Sequence, residues 1–326
     1  MAGGEDTPRR LWVSVICWTL AGLFMLWAMM RIGGLERGFP LVQLVAYTPY
    51  VLVLSLFALL LVVLCRRWLA AGFLLLAVAG LALAVLPREI GHPEQVPGGQ
   101  PVRILTLNLG VGWADARQVA ELARVRDIDL VAVQELTPEA ASELDQAGFT
   151  VDYPHRILQP EAGATGGGIY SRWPLHDRGS LAAEFHQPVA DVEVPSSIPI
   201  QLVSVHPMAP TTPSHTDQWG ADFESMPAAG SASLPLVLAG DFNATLDHDR
   251  LRSLLETGYR DAAEVTGDGL VTTWPAQLEP RLPVTLDHVL AERGISFGQY
   301  DVEKVKGTDH RAVIVELILP PVPASP

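Results

Sequence analysis

Three long apolar runs open the chain, and alternating apolar and polar residues follow them. The runs cover Leu11–Met30, Leu41–Cys65 and Trp68–Leu86, and none contains an Asp, Glu, Lys, Arg or His. Each has about the 20 residues that a helix needs to cross the roughly 30 Å hydrocarbon core of a bilayer. The pattern therefore predicts a membrane anchor of three transmembrane helices at residues 1–87, with Pro49 kinking the second helix.

A cleaved signal peptide is the alternative for the first run. That run is too long for the apolar part of a signal peptide, and Trp27-Ala28-Met29-Met30-Arg31 is a poor small-residue cleavage site. A spanning helix is therefore the preferred interpretation.

Arginines in the short loops predict the orientation in the membrane. Four lie at the N-terminus and in the second loop, against three in the first loop and after the third run: Arg9, Arg10, Arg66 and Arg67, against Arg31, Arg37 and Arg88. Cytoplasmic loops carry the excess of Lys and Arg, which favours a cytoplasmic N-terminus. Three spans then place residues 88–326 outside the cytoplasm, in a multi-pass protein of the plasma membrane. Cys17 and Cys65 lie in apolar runs, so there is no disulfide framework.

Beyond the anchor the pattern is that of a soluble α/β domain at residues 102–319. A linker at 88–101 is rich in Pro, Gly and polar residues, and the tail at 320–326 is predicted to be disordered. Two helices are expected to begin at the N-caps Asp115 and Thr137. Strands are predicted at Val102–Asn108, Leu130–Val133, Asp191–Val194, Ile200–Val205, Leu236–Ala239, Val271–Trp274, Leu286–Leu290 and Ala312–Leu319.

Polar residues that can carry chemistry adjoin six of the apolar strand runs. They are Asn108, Glu135, His206, Asp241 with Asn243, Asp287, and Asp309 with His310. Two packed sheets gather their strand ends along one rim, and carboxylates brought together there repel each other unless they share a cation or a proton. Carboxylate and amide oxygens suit Mg²⁺ or Mn²⁺, and the sequence has no Cys/His cluster for zinc.

Taken singly, these residues also have ordinary structural explanations. Asn108 fits a turn, Glu135 fits the first turn of a helix, and His206 fits a hydrogen-bonded core histidine. Asp241 and Asn243 together fit an Asx turn. The recurrence of such residues at six strand ends favours one shared site.

The charge of the soluble part bears on the substrate. The whole chain has 22 Lys and Arg against 36 Asp and Glu. Residues 88–326 alone have 16 basic and 33 acidic residues, a net charge of −17. Tight binding to long nucleic acid normally requires a basic surface, so this composition disfavours it. An acidic domain can still hydrolyse a phosphoester when a metal ion supplies the positive charge.

The motifs in their order resemble the endonuclease/exonuclease/phosphatase superfamily, the DNase I-like phosphoesterases. The matching stretches are Thr106-Leu107-Asn108, Val133-Gln134-Glu135, Gly168-Ile169-Tyr170-Ser171-Arg172-Trp173-Pro174-Leu175, Ser204-Val205-His206, Gly240-Asp241-Phe242-Asn243-Ala244, Leu286-Asp287-His288-Val289-Leu290 and Thr308-Asp309-His310-Arg311. The resemblance implies a four-layer α-β-β-α sandwich of two mixed sheets over residues 102–319, and it does not cover the membrane anchor.

The resemblance also implies roles for the residues that bind metal. Glu135 corresponds to the principal Mg²⁺ ligand, with Asn108 beside it. Asp241 corresponds to the carboxylate that positions the attacking water or a second metal. Asp309 is expected to touch metal or to orient its neighbour.

The remaining roles implied by the resemblance concern phosphate and protons. Asn243 and His206 correspond to groups that contact phosphate oxygens, and His310 to the catalytic histidine with Asp287 as its carboxylate partner. Apurinic endonucleases of the superfamily carry an acidic residue where this chain has Gly110 and a Tyr where it has His206. Both departures place the chain nearer the DNase I-like and sphingomyelinase-like branches.

Three functional hypotheses result. The favoured one is a membrane-anchored, Mg²⁺-dependent phosphoesterase acting on a lipid or small-molecule phosphoester, with Mn²⁺ as a possible substitute. The second is an extracytoplasmic nuclease, and the third a non-catalytic membrane protein that uses a degenerate domain for binding. The sequence indicates no oligomeric state.

Overall fold

The computed structural model describes residues 6–92, 98–277 and 281–322, and the chain divides into two compact units. The first comprises Met1–Pro87 with Asp247–Asp249, and the second comprises Arg88–Leu246 with Arg250–Pro326.

The first unit consists of apolar helices. They are α1 (Asp6–Ile32), α2 (Leu41–Val45), α3 (Thr48–Leu64) and α4 (Trp68–Val85). By length and composition, two helical segments in the described residues are able to cross a membrane, Arg10–Ile32 and Trp68–Glu89. The third apolar helix, α3, has 17 residues and is shorter than a typical span.

The predicted kink at Pro49 is wrong. The second apolar run is broken before the proline, into α2 and α3, and Pro49 lies in the first turn of α3. A proline is tolerated there because the first N–H groups of a helix have no acceptor within the helix.

The second unit contains two six-stranded mixed sheets. The strands are β1 (Gln100–Asn108), β2 (Leu130–Gln134), β3 (His155–Gln159), β4 (Gly167–Ser171), β5 (Leu175–Ser180), β6 (Pro188–Val192), β7 (Ile200–Val205), β8 (Leu236–Asp241), β9 (Tyr259–Asp261), β10 (Asp287–Glu292), β11 (Ser296–Lys304) and β12 (Arg311–Leu319). The strand order is β11-β12-β1-β2-β4-β3 in one sheet and β5-β6-β7-β8-β10-β9 in the other. The pairs β1/β2 and β7/β8 are parallel, whereas the neighbours of these pairs run antiparallel to them.

Helices cover the two sheets. They are α5 (Ala116–Val125), α6 (Pro138–Gln146), α7 (Phe149–Asp152), α8 (Pro213–Ser225), α9 (Asp249–Glu256) and α10 (Ala262–Thr266). Asp115 and Thr137 cap α5 and α6 by accepting backbone N–H groups, which confirms both predicted N-caps.

The alternation of strand side chains builds the layers. Ile104 of β1 lies in the apolar core between the two sheets, together with Leu202 of β7 and Val289 of β10. Its neighbour Leu105 points the other way, into the core between the first sheet and its helices. The predicted α/β sandwich of two mixed sheets is therefore confirmed.

The structure differs from the predicted elements in three places. Val271–Trp274 is not a strand, because only an isolated bridge from Trp274 to Val284 forms. None of the four edge strands, β3, β5, β9 and β11, was predicted. The start of the predicted linker packs on the second unit, since Arg88 is buried and His92 N–H donates to Val265 O.

The first residues of the predicted disordered tail are also ordered. Ser197 Oγ donates to Pro320 O at 2.8 Å, and Pro321 forms a bridge with Ser197. The remainder of the tail, residues 323–326, lies outside the described residues, as do residues 93–97 of the linker.

Gly240 is required where β8 pairs with β7, opposite Val205. A Cβ at this position would lie 2.0 Å from the carbonyl oxygen of Val205 in the paired strand, and the obstacle is backbone that cannot rotate away. We expect Gly240→Ala to lower the stability of the fold by about 3 kcal/mol. Gly220→Ala is the control, because its added Cβ would only reach the flexible side chain of Arg250 at 3.5 Å. Thermal unfolding of the full chain in detergent measures both, and equal melting temperatures would contradict the close approach.

Candidate active site

Strand ends bring the candidate residues to one rim of the sandwich. The parallel strands β1 and β2 end together at Asn108 and Gln134, and Glu135 follows directly. In the other sheet Asp241 at the end of β8 lies opposite Asp287 at the start of β10. Chain direction and register therefore place these polar side chains side by side.

Asn108 joins the two sheets at this rim. Its side-chain Nδ2 donates to Glu135 Oε1 at 3.0 Å and to Asp241 Oδ2 at 3.1 Å. Its Oδ1 accepts from the backbone N–H of Gly110 at 2.9 Å. Asn108 thus faces the two carboxylates with its NH₂ group and holds them close together.

Burial raises the pKa of both carboxylates. Removal from water raises the pKa of Glu135, although hydrogen bonds from Asn108 and from the Val111 N–H oppose the effect. Burial likewise raises the pKa of Asp241, and the neighbouring positive charge of His310 opposes it. Two buried carboxylates so close together are stabilised by protons or by a cation.

His310 and Asp287 form a buried hydrogen-bonded pair. His310 Nδ1 donates to Asp287 Oδ2 at 2.9 Å, while His310 Nε2 lies 3.6 Å from Asp241 Oδ2. Burial lowers the pKa of His310, but the charges of Asp287 and Asp241 outweigh it and raise that pKa to about 10. The imidazole is therefore positively charged at neutral pH, with Nε2–H pointing toward Asp241.

His206 lies beside the same two carboxylates, Glu135 and Asp241. Its Nε2 is 3.8 Å from Glu135 Oε1 and 3.8 Å from Asp241 Oδ2, and its backbone N–H donates to Gln187 Oε1. Burial lowers the pKa of His206, so this ring is neutral where His310 is charged. Within the described residues its Nδ1 has no hydrogen-bond partner.

The backbone at the site adopts left-handed conformations. Glu135, Asn243 and Val111 have φ values of 56°, 48° and 54°. Such values are uncommon for residues with a side chain and are maintained by surrounding contacts. Asn243 N–H donates to Asp241 Oδ1, and Asn243 Nδ2 donates to Pro207 O at 3.1 Å.

Asp309 lies beside Trp274 and directly precedes His310 in the chain. Trp274 Nε1 donates to Asp309 Oδ2 at 2.8 Å, and the Trp274 ring is 6.5 Å from the His310 ring. The exposed guanidinium of Arg281 lies 5.3 Å from the centre of the Trp274 ring. Trp274 therefore forms a side wall of the site.

Two supporting residues were not predicted. Gln134 Nε2 donates to Ser204 Oγ at 3.0 Å and so links the sheets beneath Glu135. His288, next to Asp287, hydrogen-bonds to Asp261 and to the Ala244 carbonyl. The available signal was a polar residue directly beside a candidate carboxylate, Gln134 before Glu135 and His288 after Asp287.

The donor set fits a divalent cation. Carboxylate oxygens of Asp241 and Asp287 lie within 4.8 Å of each other and of a ring nitrogen of His310, and all three residues are buried. Glu135 adds a further carboxylate within reach of Asn108 and His206. Burial raises the pKa values of Glu135 and Asp241, and a hard divalent cation would supply the positive charge that such buried carboxylates need.

The chain belongs to the Endonuclease/Exonuclease/phosphatase family, whose sequence profile matches residues 105–310. Members of this family are enzymes that hydrolyse phosphoester bonds, and the resemblance deduced from the motifs is confirmed. No curated protein matches the sequence.

Solved structures share the fold of the second unit. An endonuclease/exonuclease/phosphatase from Beutenbergia cavernae has 18% identity and a TM-score of 0.52, over 69% of this chain and 73% of that chain. An AP endonuclease from Archaeoglobus fulgidus has 14% identity and a TM-score of 0.53, over 66% and 98%. D. rerio TDP2, in complex with single strand DNA product, has 16% identity and a TM-score of 0.52, over 67% and 99%.

The charge of His310 gives a pH prediction for the metal-free protein. Because its pKa rises from an ordinary 6.5 to about 10, the folded chain binds this proton more tightly than the unfolded chain does. The resulting stabilisation is complete below pH 6.5 and is lost as the pH rises through about 10. Imidazole ¹⁵N shifts of the full chain in detergent and EDTA should show His310 doubly protonated at pH 8. Asp287→Asn should lower its pKa, and a neutral His310 at pH 8 in the unaltered chain would contradict the assignment.

Proposed function

We propose that the protein is a membrane-anchored, divalent-metal-dependent phosphoesterase. Residues 1–87 are the anchor, and residues 102–319 the catalytic domain. The observation that carries the proposal is the convergence of Glu135, Asp241 and the Asp287–His310 pair on one buried rim. Family membership supports the reaction class.

Glu135 and Asp241 are the groups we assign to the metal, with Mg²⁺ as the expected ion and Mn²⁺ as its substitute. Asn108 and Asp309 complete the proposed metal site, Asn108 by holding the two carboxylates and Asp309 as a further carboxylate whose charge acts on Glu135. When bound, the ion supplies positive charge that neutralises these carboxylates and polarises a phosphoester. Asn108 holds Glu135 and Asp241 in place through the two hydrogen bonds that its NH₂ group donates.

We assign to His310 the role of stabilising the negative charge that develops on a phosphate oxygen. Its Nδ1–H is committed to Asp287, so only Nε2–H faces the substrate. As a cation it can stabilise an anionic oxygen and can donate the proton to a leaving group. Asp287 fixes the ring orientation and maintains its charge.

Asp241 and the two flanking polar groups complete the proposed machinery. The Asp241 carboxylate, between His310 and Asn108, is placed to orient a water and accept its proton. We propose that Asn243 and His206 contact oxygens of the substrate phosphate. In-line attack by water on phosphorus needs this positioning and charge stabilisation and little further protein chemistry.

A lipid or small-molecule phosphoester is the substrate class we propose. The two candidate spans and the net charge of −17 on residues 88–326 both favour it over nucleic acid. Nucleic acid is the second candidate, because one structural neighbour was solved with single strand DNA product.

A substrate panel tests this choice. The full chain in detergent is incubated with Mn²⁺ and sphingomyelin, phosphoinositides, nucleotides or plasmid DNA, with Asp241→Asn as the inactive control. We expect faster turnover of a lipid or nucleotide than of DNA. Preferential cleavage of DNA would overturn the proposed substrate class.

The proposed location is the plasma membrane, with the catalytic domain outside the cytoplasm. This location counts the 17-residue α3 as a third span, because the loop arginines favour a cytoplasmic N-terminus and three spans then place the domain outside. Protease added to intact cells should digest the domain before lysis, and protection until lysis would reverse the orientation.

A thermal-shift experiment tests the metal assignment independently of any substrate. Because burial raises the pKa values of Glu135 and Asp241, protons compete with the cation for these carboxylates, and cation binding should strengthen as the pH rises. We expect Mn²⁺ to raise the melting temperature of the full chain more at pH 8 than at pH 5.5, and Glu135→Gln to reduce the shift. An equal shift in the variant would remove Glu135 from the proposed ligands.

A further inference from the structure

His288 connects the strand that carries Asp287 to the loop that carries Asn243. It is the second residue of β10, 1% exposed, and its Nε2 lies 2.9 Å from the carbonyl oxygen of Ala244. A carbonyl only accepts hydrogen bonds, so this nitrogen must carry a proton and donate it. The ring of His288 therefore holds the residue that follows Asn243.

The same ring also contacts the residue that precedes Asn243. The rings of His288 and Phe242 pack edge to face, with centroids 5.7 Å apart and an interplanar angle of 86°. Asn243 itself has a φ of 48°, a conformation that costs energy for a residue with a side chain. One imidazole thus holds both neighbours of a backbone position that needs external support.

Asp261 fixes the ring of His288 from behind. His288 Nδ1 lies 2.8 Å from Asp261 Oδ2, and Asp261 Oδ1 accepts from the Glu264 N–H at the start of α10. Both side chains of the pair are 1% exposed. A buried ring bound at both nitrogens has no freedom to follow a moving loop, so it can hold the loop still.

We propose that His288 is a positioning residue that sets the orientation of Asn243 through Phe242 and Ala244. The inference rests on the proposed function, in which Asn243 binds a phosphate oxygen of the substrate. His288 is turned toward Asp261 and Ala244, and its effect on the reaction is exerted through the loop.

Two variants separate the two hydrogen bonds of the ring. In His288→Gln the amide nitrogen can replace Nε2 and still donate to Ala244 O. In His288→Asn the amide nitrogen replaces Nδ1 instead, and the loop contact is lost. For hydrolysis of bis(p-nitrophenyl) phosphate with Mn²⁺, we expect His288→Asn to lower kcat/KM by about 30-fold and His288→Gln by about 3-fold.

Val289→Ala is the control for a purely structural effect. Val289 is fully buried on the same strand and faces the core between the sheets. Its truncation should lower the melting temperature yet leave the rate of the folded protein unchanged. If His288→Asn and Val289→Ala reduce activity only in proportion to the unfolded fraction, the positioning role is refuted.

A double-variant cycle shows whether the effect passes through Asn243. If it does, His288→Asn should lower kcat/KM by about 30-fold in the wild-type background and by less than about 3-fold in the Asn243→Ala background. Equal costs in the two backgrounds would contradict the inference.

Hydrogen exchange tests the inference even if the proposed function fails. In the full chain without metal or substrate, a peptide spanning Phe242–Leu246 should exchange faster in His288→Asn than in wild type, and His288→Gln should resemble wild type. Unchanged exchange in His288→Asn would overturn the positioning role. Absence of wild-type hydrolysis, with the expected exchange pattern, would overturn the proposed function and leave the positioning of the loop by His288 established.

Discussion

Replacing Asp241 with asparagine is expected to lower kcat for phosphoester hydrolysis by about 1,000-fold. Asp241 lies within 3.1 Å of Asn108 Nδ2 and 3.6 Å of His310 Nε2, at the centre of the group of polar side chains. Asparagine preserves the volume but removes the charge and the ability to accept a proton, so both water orientation and cation binding should fail. Initial rates with saturating Mn²⁺ measure the effect.

The matched control for Asp241 is Asp191→Asn. Asp191 is also a buried aspartate in the second sheet, where it pairs with Arg178 and accepts from Gln201, away from the site. This variant should lose some thermal stability and keep wild-type turnover by the folded protein. Equal rates for wild type and Asp241→Asn would remove Asp241 from the mechanism.

Replacing His310 with glutamine is the second large effect, with an expected loss in kcat of between about 100- and 10,000-fold. Glutamine retains a hydrogen-bond donor but carries no charge, whereas His310 has a pKa raised to about 10. Asp287→Asn should have a smaller effect in the same direction, because the ring remains but its charge is less stabilised. A stopped assay over pH 6 to 10 measures both variants.

The control for His310 is His176→Gln, which removes an exposed histidine that contacts Glu193 at 2.6 Å. It should leave the rate unchanged. A His310→Gln enzyme with at least half of wild-type activity would refute the proton-transfer role.

Local chemistry accounts for the parts of the fold that the sequence predicts well. Asp115 and Thr137 cap helices through contacts with residues two or three positions away, so their roles can be recognised from neighbours alone. The edge strand β11 was missed because it mixes polar and apolar residues, and its register shifts between Phe297 and Tyr300. Such an irregular strand depends on its partner β12 and has no strong pattern of its own.

The candidate site was predictable to the extent that its residues occupy strand ends. The order of the motifs predicted that Glu135, Asp241 and His310 share one site, and the structure places them on one rim. His288 could not be assigned, because its partners Asp261 and Ala244 are 27 and 44 positions away in the chain. The charge on His310 likewise depends on two aspartates that only the fold brings close to it, and their effect outweighs the opposing effect of burial.

Metal-dependent hydrolysis by the wild-type chain is the most direct test of the central claim. Full-length protein in detergent is assayed with bis(p-nitrophenyl) phosphate and p-nitrophenyl phosphate, first with Mn²⁺, then after EDTA, then after Mn²⁺ is restored. We predict hydrolysis of at least one ester that stops with EDTA and resumes with Mn²⁺. Folded protein that hydrolyses neither ester, or whose rate is unchanged by EDTA, would contradict a metal-dependent phosphoesterase.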